Sequence, residues 1–354
     1  MFKKIKHDLV YKLVRTGFSA SNSEAKLGIM ARDVRLKSEV QYALTNFPCF
    51  FTSPEECELL ITDSMLELLK RRALGKPSLL IDRYLFRASD AIRLRDLQWF
   101  LMNDKSREGA IARYKNNFKE MLHSLRSQAT TIIAPGPTYS SLLSLPGFED
   151  IQGSNVVTCN SVVKDIDTLK AIGRVDVLCF SDPVFHFSSS EYCLKFIEDV
   201  KTVIETFDPY IIVPISAAPL TENLLLKFNP KVIGYGASET YNIPSSGALS
   251  VKYSPNVLTS LLLPTAAALS NTIHTVGCDG RNKDEKYFWR HNDRAQYTQL
   301  MDSVFEKHPS FLNDQNLDKY YHQHVVRLTR DVNWLRHKGK KVQSLTPTYL
   351  DILK

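Results

Sequence analysis

Thr131-Ile132-Ile133-Ala134-Pro135-Gly136-Pro137-Thr138 is the stretch on which the fold turns. Its opening run, rich in β-branched residues, fits a buried strand. The run stops at a glycine bracketed by prolines, which makes a stiff turn. The hydroxyls of Thr138, Ser140 and Ser141 follow, and such side chains cap helices. The N–H groups of a helix starting there would face whatever lies beyond the strand end, and they suit a phosphate. Strand–turn–helix junctions also use Gly and Pro for structural reasons alone. The stretch therefore speaks to fold class before it speaks to any ligand.

The same texture recurs downstream. Apolar runs at 155–159, 175–180, 210–215, 231–235, 273–277 and 341–344 alternate with helix-length segments. In 189–204 the apolar residues fall at 192, 193, 196, 197, 200, 203 and 204, one face of a helix. Strands rich in Val and Ile, alternating with helices, predict an α/β unit over 129–354. Its sheet should be mainly parallel, with helices on both faces. Ligands of such sheets bind beyond the carboxyl ends of the strands, so the polar residues just past each run are the candidates. These are Gly136, Pro137 and Thr138 after the first, Asn160 after the second, Asp182 after the third and Asp279 after the run at 273–277. Asn160 offers two donors and an acceptor for a base or ribose edge. Asp182-Pro183 reads equally well as a plain turn. Thr259 and Ser260 stand on the first turn of an apolar helix over 256–270 and could face the same cleft.

Residues 1–128 read differently. They are charge-rich and mostly helical in pattern, with a boundary near 128 in the polar stretch SLRSQAT. Ser53-Pro54-Glu55-Glu56 looks like a helix start, with a capping hydroxyl, a first-turn proline and acids near the positive dipole end. Gly75 and Pro77 would close that helix. A strand is expected at 78–81 and a further helix at 90–102. Over residues 1–18, Phe2, Ile5, Leu9, Val10, Leu13 and Val14 form one apolar face beside Lys3, Lys4, Lys6, Lys12 and Arg15. That pattern fits either a packed helix or one lying on an anionic membrane.

Composition narrows the classes. The chain has 354 residues, 44% hydrophobic and 23% charged, with net charge +7. No apolar run reaches the roughly 18 residues of a membrane span, and the opening lacks a signal-peptide pattern. A cytoplasmic protein, peripheral on the membrane at most, is expected. Six scattered cysteines without a CxxC pair predict reduced core thiols rather than disulfides or a zinc site. His322 and His324, two apart, point to different sides of a helix, and no carboxylate or thiolate completes a metal set. Basic clusters occur without a nucleic-acid-binding motif, so no nucleic-acid partner is expected.

The most unusual composition is at 282–294, Asn-Lys-Asp-Glu-Lys-Tyr-Phe-Trp-Arg-His-Asn-Asp-Arg. A charged segment with three adjacent aromatics, ending near a histidine, resembles an active-site lid. His291 has the unperturbed pKa that suits general-base work near neutrality.

Taken in order, these elements resemble the bacterial sialyltransferases that decorate lipo-oligosaccharides, over residues 131–350. Thr131 to Thr138 is similar to that family's opening strand and Gly-Pro-Ser turn, and Val157-Thr158-Cys159-Asn160 to its Cys-Asn. Phe180-Ser181-Asp182-Pro183 stands where the family has Asn-Pro. Thr259-Ser260 resembles its Thr-Ser, Gly277-Cys278-Asp279 its Gly-x-Asp, and Ser344-Leu345-Thr346-Pro347 its final strand and turn. The resemblance implies a single Rossmann-like nucleotide-binding domain. It also implies transfer of an acidic sugar (sialic acid, another nonulosonic acid or Kdo) from a CMP donor to a cell-surface glycan or lipid-linked oligosaccharide. On that alignment His291 takes the place of the catalytic base, with Asp279 next in line. Gly136, Pro137, Thr138, Asn160, Asp182, Thr259 and Ser260 would contact the donor. His274, Arg281, Lys283 or Arg290 would offset the leaving phosphate, with no metal required. The opening turn lacks the family's Asn before the Gly, and Asp182 replaces its Asn. Two rivals stand beside this reading. One is the motility-accessory and pterin pyrophosphokinase-like enzymes, which share a similar opening. The other is a non-catalytic, membrane-docked assembly factor of a glycan-synthesis complex.

Overall fold

The protein is described by a computed structural model covering residues 25–31, 34–81, 88–281, 292–308 and 317–354. Two parallel sheets organise it. The smaller comprises β1 (Ala25–Met30), β2 (Cys49–Phe51), β3 (Leu59–Thr62) and β4 (Ser78–Leu80), in the order β2-β1-β3-β4. The larger comprises β5 (Ala129–Ile133), β6 (Asn155–Cys159), β7 (Val177–Cys179), β8 (Tyr210–Pro214), β9 (Lys231–Ser238), β10 (Ser250–Lys252), β11 (Thr272–Val276) and β12 (Lys341–Ser344). Its order is β10-β9-β8-β7-β6-β5-β11-β12, and every pairing is parallel. The α/β architecture expected from the sequence is present. The middle strands β6 and β7 are buried at every residue, as a sheet covered on both faces requires. Helix Glu191–Phe207 buries Tyr192, Cys193, Phe196, Ile197, Val200, Val203 and Ile204, the face its periodicity predicts.

The N-terminal region departs from expectation. It is rich in helix, but it is built on the smaller parallel sheet and is therefore an α/β layer. The helix expected from Ser53 is a turn followed by β3, and the helix proper is Met65–Ala73, capped by Ser64 accepting from the Glu67 N–H. All four residues of β3 are buried, so the strand carries no alternation and merges with the helical pattern that follows. The expected strand at 78–81 is β4, and Gly75 follows the helix with φ +66°. Helix Asp104–Ser124, on the N-terminal side of the expected boundary, packs against the larger sheet. Asn117 Nδ2 donates to the Val232 carbonyl at 2.8 Å, and Phe118 meets Tyr235 edge-on. One continuous apolar core joins both sheets.

All six cysteines are free thiols, five of them buried. Among the described residues no helix is long and apolar enough to cross a membrane. The amphipathic segment 1–18 lies outside the described residues, as do His291, Arg290 and Lys283.

Candidate functional site

From β5 the chain crosses to β6 on one side, and from β11 it reaches β12 on the other. Connections that diverge in this way open a crevice beyond the carboxyl ends of the strands. A cleft of about 200 Å³ lies there, bounded by residues that follow β5, β6 and β11. Gly136, Pro137, Asn160, Asp182 and Asp279 line it. Five of the residues selected from sequence thus converge, although 143 positions separate the first from the last.

The two loops at the crevice touch closely. Ala134 N–H donates to the Val276 carbonyl at 2.9 Å, and Gly136 N–H to the Gly277 carbonyl at 3.1 Å. A Cβ on Gly136 would sit 2.3 Å from the Gly277 oxygen. One on Gly277, whose φ is +69°, would sit 2.0 Å from the Ala134 oxygen. Neither position accepts a side chain. Gly136 is therefore set by loop-to-loop contact, and its N–H is already engaged.

The turn after β5 is also occupied from within. Asp279 accepts from Thr138 N–H at 2.8 Å, and its second oxygen accepts from the Thr138 hydroxyl. Tyr139 N–H bonds to the Gly136 carbonyl. Of the amides expected to cradle a phosphate, that of Thr138 holds the Asp279 carboxylate and those of Gly136 and Tyr139 are bonded to backbone carbonyls, so Asp279 stitches the loop after β11 to the opening turn. Burial pushes the Asp279 carboxyl up from its ordinary value, and the two Thr138 bonds oppose that shift.

Asn160 closes β6 in the left-handed region, with φ +51°, a conformation that Asn tolerates better than most residues. Its side-chain Oδ1 is buried with no hydrogen-bond partner among the described residues. A buried acceptor of this kind is costly unless a donor reaches it. Asp182 forms a turn, its Oδ1 accepting from Val184 N–H at 2.8 Å and Phe185 N–H at 3.1 Å. The turn reading is correct, and the same residue lines the cleft. Burial raises its carboxyl, opposed by those two bonds and by the charge of Arg95.

Other candidates lie outside the cleft lining, Thr138 among them, behind the Asp279 clamp. Thr259 is buried, pairs with the Ser254 hydroxyl and faces a separate small cavity beside Trp334. Ser260 donates to the Asn256 carbonyl at 2.8 Å and lines the neighbouring, larger cavity. Arg281 is paired with Asp318, and its guanidinium lies 4.6 Å above the Tyr321 ring, so it does not line the cleft. His274 is also not among the lining residues. Among the described residues no cluster of His, Cys, Asp or Glu suits a metal ion.

The sequence reading missed an aromatic wall. Phe185, Tyr192, Tyr320, Tyr321 and His324 line the cleft with Asn256 and Gln296. Tyr192 donates to Gln296 Oε1 at 2.9 Å. Tyr320 and His324 are one helical turn apart on Leu317–His337, the spacing that could have revealed a shared face. Burial pushes the His324 imidazole down to about 4, so it is neutral near pH 7. Asn292, which follows His291 in the chain, donates its N–H to the Pro135 carbonyl at 2.7 Å and its amide to that of Pro137 at 3.3 Å. A scan against protein-family models and a search of curated proteins find no match to this chain.

Proposed function

We propose that this chain is a glycosyltransferase that binds a nucleotide-activated acidic sugar, with a CMP leaving group, in the cleft between the ends of β5 and β11. The observation that carries the reading is Asn160. Its Oδ1, without a hydrogen-bond partner among the described residues, stands at the end of β6 in a cleft walled by Tyr and Phe, where a nucleobase can stack and an exocyclic amine can donate. The order of elements after each strand supports the same reading. In the reaction, an acceptor hydroxyl oxygen bonds to the anomeric carbon of the sugar. The bond from that carbon to the phosphate oxygen breaks, and CMP leaves with the electron pair. The hydroxyl proton passes to His291. Arg281 is committed to Asp318, so the phosphate falls to Lys283 and Arg290, and the acceptor is a surface glycan.

The test is hydrolysis and transfer with purified protein and CMP-, UDP- and GDP-sugars. CMP-sugar turnover is expected, and His291→Ala should lower it by ~10²–10⁴ while CMP still binds. Turnover confined to UDP- or GDP-sugars would reject the CMP assignment. Full turnover in His291→Ala would remove that residue from the reaction.

A further inference from the structure

The two faces of the smaller sheet are used differently. Its order, β2-β1-β3-β4, sends the chain from β1 to β2 in one direction and from β3 to β4 in the other. Right-handed crossovers then place the two connecting helices on opposite faces. Helix Val34–Ala43, from the first crossover, joins the larger sheet's layer, where Glu39 accepts from Ser189 N–H at 3.0 Å. Helix Met65–Ala73, from the second, buries Leu68 and Arg71 and turns its other side to solvent. Met65, Leu66, Leu69 and, just past its end, Leu74 are 50–71% exposed. They are four of the twelve large apolar side chains that the described residues leave exposed, gathered within ten positions. We propose that this face is the interface of a symmetric homodimer, covered by the same face of a second copy of the chain. The interface is independent of the donor reading.

Three observations select that occupant. The first is the shape of the stripe. Leu66, Leu69 and Ala73 are spaced by three and four, with Met65 beside them, and that seam suits a second helix. At 3.6 residues per turn, Arg72 borders the stripe on one side and Lys70 on the other, so it stays narrow. The second is area. The stripe and Leu74 leave roughly 500 Å² uncovered, as much as the largest patch on an ordinary monomer. With its charged rim the face reaches about the 800 Å² that each partner contributes to a stable interface. The third is charge. Lys70, Arg72 and Lys76 stand around the stripe, and Glu67 shares the helix with them. Glu55 and Glu56, both exposed, lie on the turn held against the helix. There Arg71 donates to the Pro54 carbonyl at 2.7 Å and Lys76 to that of Glu55 at 3.2 Å. A rim carrying both signs complements itself across a two-fold axis, because cations of one protomer can meet carboxylates of the other. An anionic bilayer would instead be repelled by the glutamates. No residue of this helix lines the cleft or the cavities beside it, so pairing leaves them open.

Sedimentation velocity on the full chain across micromolar concentrations tests the interface. Leu66→Asp and Leu69→Asp each set a charge in the stripe, and Leu226→Asp does the same at an exposed leucine elsewhere. The native chain is expected to sediment as a dimer. Each stripe variant should weaken association by ~30-fold or more, the effect of a central interface residue, with an unchanged circular dichroism spectrum. Leu226→Asp should associate as the native chain does. CMP titration should read the same in the native chain and all three variants, so its outcome judges the donor reading alone. A native chain that stays monomeric, or a dimer that both stripe variants leave intact, would overturn the interface. A monomer that binds anionic vesicles through the stripe would overturn it too, in favour of a bilayer. So would a monomer that dimerises only when residues 1–18 are deleted, because that segment would then be the occupant.

Discussion

Gly277 and Asp279 divide the work at the crevice between them. Gly277 lets the loop after β11 pass within contact of the Ala134 carbonyl, and Asp279, two residues on, clamps Thr138. A side chain at 277 meets both a positive φ and a backbone oxygen, so relief requires the two loops to separate. Gly277→Ala is expected to destabilise the fold by at least ~1–2 kcal/mol. It should also disturb the cleft, because the same contact sets its floor. Urea denaturation checks the first part, and a midpoint equal to that of the native chain would show that the loops can part without cost. The clamp also explains why the opening turn does not work as an anion cradle by itself. Its amides are satisfied within the chain, Thr138 by the Asp279 carboxylate and Gly136 and Tyr139 by backbone carbonyls, and a bound phosphate would have to be met by other donors.

At the scale of elements, what the sequence disclosed depended on burial. Strands of the larger sheet are short, β-branched and set off by turns, and β6 and β12 fall where the apolar runs predict. Helix Glu191–Phe207 was legible because one of its faces is exposed and the other is not. The smaller sheet was hidden for the opposite reason. β3 is buried on both faces, β2 and β4 are three residues each, and no period of two survives at that length. Ser53 followed by proline and two glutamates then supplied a persuasive but false helix start. The site shows the same division. Gly136, Asn160, Asp182 and Asp279 follow strands and could be found by position alone. Tyr320, Tyr321 and His324 come from a helix remote in sequence, and only the fold brings them to the cleft. Thr259 and Arg281 were misplaced because spacing cannot tell which side of a helix or loop faces the crevice.

At the scale of the whole molecule, two histidines, His308 buried and His324 partly buried in the cleft wall, tie stability to pH. Burial holds His308 down at about 3, with the charge of Lys307 adding to the shift, and holds His324 at about 4. In the unfolded chain both titrate near 6.5. Between those values the unfolded state takes up protons that the folded state refuses. Their contribution to stability is therefore complete above pH ~6.5 and is lost as pH falls toward 4 and below. Each loses on the order of 2 kcal/mol between pH 7.5 and 5. Asp182 and Asp279, raised by burial, act with the opposite sign at lower pH. Comparing His308→Gln with the native chain isolates the histidine term. The native urea midpoint should drop more between pH 7.5 and 5 than that of the variant, and equal drops would contradict the assignment.

Transfer from a CMP-sugar requires that the crevice accept a cytidine nucleotide, and calorimetric titration of CMP into the native chain and into Asn160→Ala measures that most directly. The native protein should bind CMP in preference to UMP and GMP. Removing the Asn160 amide should weaken CMP by about 1–3 kcal/mol, the cost of a lost buried hydrogen bond. No heat of binding with the native chain, or the same dissociation constant in Asn160→Ala, would contradict the assignment of this cleft to a nucleotide donor.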